Sequence, residues 1–527
     1  MTKLTFSLLT IFALSLSLRI AWAQEKLGKV DFPISCSPEA QAQFNRAVAM
    51  LHSFWFPQAP KAFTAVSETD PNCAMTHWGI AISQRANPLV GAPDAAALKR
   101  GLASVEKAKA IGAKTQRERD YINAIELYYK DSDKLDHRTR VLAYEKAMER
   151  LYLAYSQDTE AAVFYALALN EAIDFEDKTY SRQLKAAQIL EKVYAKQPEH
   201  PGVLHYLVHS YDFPPLASRG VDTAKRYASV APTAPHALHM PSHVFSMLGM
   251  WQESIKSNKE ALSVAKNYVH AMDFMVYAYL QGAQDGEAKR LLDESAAVYK
   301  TQAPAAELTP TGGVLPVHTA FAAIPARYAI ERGAWADAAA LQPRPSTPAA
   351  DAITHFTRAM GAVRSGDAGS ARKDIEQLES LRNTLSTAKQ KYWADQVEIQ
   401  RRAASAWVAH AEGRKEEALK LMRSAATLED ASEKQPAMEN RLWPMRELLA
   451  EMLLQINEPA QALKEFEASF KAAPNRFRGY YGAAKAAERL GDQKKAKIYY
   501  EKLVTLCKQT DAQRPELAEA QAFLAKR

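Results

Sequence analysis

Cysteine is scarce in this chain, with three among 527 residues and no CxxC, so it encodes neither a disulfide-dense scaffold nor a dithiol redox motif. Its 20 glycines never gather into a phosphate-cradling loop, and no HExxH or GxSxG occurs. Charge does not collect in blocks of one sign. The formal net charge of +7 is spread through mixed-sign segments, which argues against a nucleic-acid surface held by phosphate contacts. After the first residues no apolar run is long enough for a membrane span. Together these gaps argue against the common hydrolases and redox folds, and they leave room for a bespoke metal site.

The one apolar run is at the start. Lys3, the stretch from Leu4 to Leu18 and the ending Ala21, Trp22, Ala23 predict a secretory signal cut after Ala23, which makes the mature chain periplasmic or secreted from Gln24 onward. Losing Lys3 and Arg19 takes the charge from +7 to +5 (7 − 2). Export permits a disulfide. Cys36 precedes the first helical pair and Cys73 the second, at the same end of adjacent units, so the two are expected to bridge and Cys507 to remain a buried single thiol.

What the chain has is periodicity. From residue 440 onward apolar residues recur at three and four, alanines stand at helix crossings, and Trp443 and Phe477 open successive units 34 residues apart. Similar units run through 248–262, 331–341, 364–378 and 411–422. A two-helix unit of this period resembles the tetratricopeptide repeat. The resemblance implies an all-α, right-handed superhelical solenoid of about ten to eleven helix-turn-helix repeats. The expected division is 1–23 signal, 24–300 amino-terminal array with a histidine-rich concave face, 301–318 a Pro, Thr and Gly-rich connection, and 319–527 a second array ending in a capping helix. An insertion at 171–181 also breaks the period, and long loops of either kind are lids, binding loops or tolerated insertions. The signal, CAMTHWGIA, HYLVHSYD and HMPSH together resemble a group of exported bacterial tetratricopeptide proteins, a likeness that implies location and fold without a mechanism.

Histidine is distributed unevenly. Six of the thirteen fall between His205 and His270, where an even spread would place roughly 1.6. They follow the repeat: 205 + 34 = 239, 209 + 34 = 243 and 236 + 34 = 270. With Pro201, Pro235 and Val269 as first positions of three helices, Gly202, His236 and His270 take the second position. His205, His239 and Asp273 take the fifth, and His209, His243 and Tyr277 the ninth. In the tetratricopeptide family these positions line the inner groove, so the resemblance places the grid on the concave face. Rings four apart on a helix are surface neighbours. Imidazoles from adjacent helices are then within reach of one ion, and neutral nitrogen ligands suit zinc, copper, nickel or non-haem iron. Met240 and Met247 add a weak copper argument, and Pro241 should distort or restart the helix between His239 and His243. The expected ligands are His205, His209, His236, His239, His243, His270 and Asp273, with Glu171 a distant candidate. Tyr277, Arg327, His52 and Trp78 are further groove candidates.

Two functions from different classes fit. One is an exported scaffold holding a protein or peptide in its concave face, with zinc, copper or iron as cement or cargo, or with no metal at all. The other is a metal-dependent hydrolase or oxidase in which Asp273 or Tyr277 handles protons. A closed four-ligand site would favour the first, and an open three-ligand site the second. The sequence leans to the scaffold, because no inward acidic pair accompanies the grid.

Overall fold

A computed structural model describes residues 26–302, 315–344, 346–436, 438 and 441–526. Residues 1–23, expected to be a signal, and most of the 301–318 connection lie outside them, although residues 315–318 already belong to the helix Leu315–Glu331. Among the described residues there are 26 α-helices, one short 3-10 turn and no strand. In Phe477–Arg489 the buried residues Phe477, Tyr480, Ala483, Ala484 and Ala487 make one stripe with charged residues opposite, whereas Pro201–Tyr211 and Val269–Gln281 are buried on every side. Trp443 stands just before its helix, which starts at Met445.

The three helices that carry the histidines begin at Pro201, Pro235 and Val269, in the 34-residue register. The second is cut in two, Pro235–His239 and Pro241–Met247, because Pro241 offers no N–H to the turn before it. Cys36 and Cys73 are joined by a disulfide with Cα atoms 5.3 Å apart, and Cys507 is free and buried. The last helix, Pro515–Ala525, buries only Leu517 and Ala520.

The carboxy-terminal helices pack back against the middle of the chain. Trp251 Nε1 donates to the Asn475 carbonyl at 2.6 Å, and the Phe477 N–H donates to Gln281 Oε1 at 3.0 Å, which ties the carboxy-terminal helices to the middle of the chain. Gly249 sits in this seam at φ +65°, where a Cβ would lie 2.7 Å from the Pro474 carbonyl, so both its conformation and its neighbour require glycine. A second tie comes from residues 432–436. The Glu433 N–H donates to the Phe175 carbonyl at 2.9 Å, Lys178 donates to the Glu433 carboxylate at 2.7 Å, and Gln435 Nε2 donates to the Leu89 carbonyl at 2.8 Å. The insertion at 171–181 is thus the dock for a strap from the far end of the chain.

Candidate metal centre

All six grid histidines are buried, none more than 5 % exposed. They are not lined along an open groove. They form two triads, His205 with His209 and His236, and His239 with His243 and His270, each presenting ring nitrogens within 4.8 Å of one another. Both follow one rule: the fifth and ninth positions of one helix join the second position of the next.

In the first triad His205 Nε2 lies 3.0 Å from His209 Nε2 and 3.1 Å from His236 Nε2. In the second, His239 Nε2 and His243 Nε2 are 3.0 Å apart. Outer partners fix several tautomers. His205 Nδ1 donates to the backbone carbonyl of His52 at 2.6 Å, which can only accept. His243 Nδ1 donates to the Asp212 carboxylate at 2.8 Å. His239 Nδ1 donates to Asn258 Oδ1 at 2.6 Å, and that amide is oriented by its own Nδ2 donating to the Ser254 carbonyl at 2.9 Å.

With the protons on Nδ1, the Nε2 atoms of His239 and His243 both carry bare lone pairs, and they face each other at 3.0 Å. Two acceptors at that distance repel unless a cation sits between them. An ion bonded at about 2.0–2.1 Å to two nitrogens, at angles from octahedral to tetrahedral, holds them about 2.9–3.4 Å apart. A proton is a poor substitute here. Burial pushes His239 down to about 4, and burial, then Lys434 and His239, hold His243 well below the ordinary histidine range. Burial likewise takes His205 down to about 3. A donor on Nδ1, with Nε2 left for the metal, is the outer arrangement usual for metal-ligating histidine.

Aromatic rings cover both triads. Phe54 packs edge-on to His205 at 4.4 Å and over His236 at 5.7 Å, while Phe274 meets His239 and His243, each at 4.8 Å. The triads abut, with ring centroids of His236 and His239 5.9 Å apart and of His209 and His243 6.1 Å apart.

A third group, His52, Glu160 and His200, is built differently. Glu160 accepts from both imidazoles at 2.8 Å, His200 Nδ1 accepts the Val203 N–H at 3.2 Å, and His52 Nδ1 meets Tyr206 Oη at 2.9 Å. Every ring nitrogen there has a partner. Burial raises the Glu160 carboxyl, but His200 and His52 outweigh it and bring it to about 2. His52 therefore takes no part as a ring in the triads, and it bears on them only through its carbonyl.

Asp273 is not a ligand of either triad. Its carboxylate accepts Arg327 Nε at 2.9 Å in a buried ion pair. The Arg327 guanidinium lies 4.5 Å from the Tyr277 ring, and Tyr277 Oη in turn contacts Arg476, which donates to Glu447 at 2.7 Å and Glu331 at 2.8 Å. Tyr277 and Arg327 thus belong to a charged network beyond the histidines. Glu171 is bound up with Arg85, and Trp78 is core, packed edge-on to Phe164 at 5.3 Å. Met240 and Met247 are buried apolar residues. Sequence reasoning missed Asp212, Asn258 and Lys434; Asp212, three residues after His209, was the most visible of them.

No family model matches the chain, and no curated protein matches it in sequence. Among solved structures it is similar to a Naa15/Naa10 complex bound to HypK-THB, at 13 % identity over 92 % of this chain and 73 % of that one, with a TM-score of 0.25. A tetratricopeptide repeat protein from Parabacteroides merdae gives 12 % identity over 61 % of this chain and 97 % of its own, with a TM-score of 0.26. A human IFIT1 dimer with m7Gppp-AAAA gives 13 % identity over 82 % of this chain and 90 % of its own, at 0.41.

Proposed function

We propose that this chain is an exported helical repeat protein, wound as a right-handed solenoid of about ten to eleven hairpins, whose two histidine triads each hold a transition-metal ion. The observation that carries this reading is the opposed pair of lone pairs on His239 and His243, 3.0 Å apart. A set of neutral imidazoles with no carboxylate among them favours copper or zinc over iron, whose open non-haem sites commonly add one. Three protein ligands per ion leave a coordination position open, the arrangement of catalytic rather than structural sites. That moves the balance from passive scaffold toward chemistry at the metal. In such a centre the ion would supply Lewis-acid or redox character, His205, His239 and His243 would be oriented by the His52 carbonyl, Asn258 and Asp212, and Phe54 and Phe274 would exclude water. A protein or peptide partner remains a proposal for the outer surfaces, since burial keeps the histidines from touching one.

The test is elemental mass spectrometry on the mature chain from Gln24, prepared without a histidine tag, after exposure to copper, zinc and iron. Two ions per chain are expected. His239→Ala with His243→Ala should remove one, and His205→Ala with His209→Ala the other. A native chain that stays metal-free after that exposure sinks the reading.

A further inference from the structure

The two triads share a charge problem that neither resolves alone. Resting on the reading that each holds an ion, we propose that the two ions form a single centre and take a small anion as a shared ligand between them.

One turn of helix serves both triads: Pro235–His239 carries His236 for the first and His239 for the second. Residues three apart lie on one helix face, about 5–6 Å apart at Cβ. The two ions are therefore held by a common rigid element, and their ligand rings touch across the boundary at 5.9 and 6.1 Å between centroids. Each ion, held by three imidazoles, would keep a position open, and one ligand on both ions would lie between the triads.

The charge balance then decides what fills it. The six imidazoles are neutral. The charged groups described beside them are Asp212, which accepts from His243, and Lys434, whose ammonium lies 3.6 Å from the same carboxylate, so the two cancel. Divalent ions in both triads would leave several positive charges uncompensated, under Phe54 and Phe274 and away from water. Buried charge without a counter-charge is strongly unfavourable, and an anion bound to both ions corrects it directly.

Size narrows the class. Between the triads the ring centroids stand 5.9 Å apart for His236 and His239 and 6.1 Å apart for His209 and His243, which leaves room for a species of a few atoms and not for a larger molecule. The shared ligand is thus of the size of hydroxide, a halide, azide or a peroxide, and not a carboxylate metabolite or a peptide.

The experiment loads the full mature chain with copper(II), counts copper by elemental analysis, and titrates sodium azide while recording absorption and electron paramagnetic resonance. A bridged pair should give two coppers per chain, an azide-to-copper absorption band that saturates at one azide per two coppers, and a resonance signal accounting for well under half of the bound copper. His209→Ala, which breaks only the first triad, should hold one copper and restore the full signal of that ion. Two coppers with a full signal and separate or absent azide binding would overturn the shared anion and leave the metal reading standing. A chain that binds no copper would overturn both.

Discussion

The paired histidines and the pair Asp273 and Tyr277 stand at matching positions of three helices that begin 34 residues apart, yet their burial is met in opposite ways. At the fifth and ninth positions the first two units place His205 with His209 and His239 with His243; the third places Asp273 and Tyr277. The third unit completes itself: Asp273 pairs with Arg327, and Arg476 serves Glu331, Glu447 and Tyr277, all within the protein. The second unit carries the lone pairs of His239 and His243 turned toward one another, and the protons of His205, His239 and His243 are committed outward to His52, Asn258 and Asp212. One stretch sets its charges against partners within the chain, while its neighbour turns two lone pairs toward one another and calls for a cation. A shared helical register thus tells where inward groups stand and not whether they are mutually sufficient.

The sharpest way to break the comparison is Arg476→Ala. Removing that guanidinium leaves the Glu331 and Glu447 carboxylates buried without it, and we expect a loss of about 3–5 kcal/mol, equal with and without metal. Denaturant unfolding of both forms checks this, and an unchanged midpoint would refute self-sufficiency. The histidine side should show the reverse. Metal added to about a thousand times its dissociation constant should stabilise the native chain by about 4 kcal/mol per site. His239→Ala with His243→Ala should lose one site's share, and a metal-independent melting temperature in the native chain would place the two regions in one class.

A pH titration of stability sharpens the contrast further. Burial, opposed by Arg476, pushes Glu447 from 4.5 up to about 7. Its folded value exceeds the unfolded one, so its contribution is fully present below about 4.5 and falls as pH rises through 7. The slope is at most about 1.4 kcal/mol per pH unit. Glu447→Gln should flatten that slope, and an unaltered profile would count against the assignment.

The smallest expected effect comes from Gly202, which holds the second position where the next two helices carry histidine. A Cβ there would meet His52 Nδ1 at 2.6 Å. Gly202→Ala should cost about 1–3 kcal/mol by overpacking. By shifting the His52 carbonyl that holds His205, it should also weaken the first metal site and spare the second. Isothermal titration resolves the two sites, and equal weakening of both would show that the effect is only global.

Much of this was legible in the residues. The 34-residue arithmetic from 205 to 239 and from 236 to 270 placed the helix starts and all six histidines, because apolar periodicity and proline punctuation are local signals. The grouping was not legible. Reading His205, His209, His239 and His243 as one grid treated the repeat as the unit of the site, whereas each triad borrows its third ring from the next helix, at a spacing of 31. Asp273 matched the histidine register and still went to Arg327, since pairing partners 54 residues away leave no periodic trace. The strap at 432–436, which has no counterpart in the period, depends on contacts about 250 residues apart at Glu433.

That strap bears on how the protein would acquire its metal. Rings buried beneath Phe54 and Phe274, behind a strap docked on Phe175 and Lys178, would exchange ions with the bulk slowly. Ions would enter while the chain is still assembling, or during rare local opening. The metal carried would then record the compartment in which the chain folds, and would outlast a later change in its surroundings.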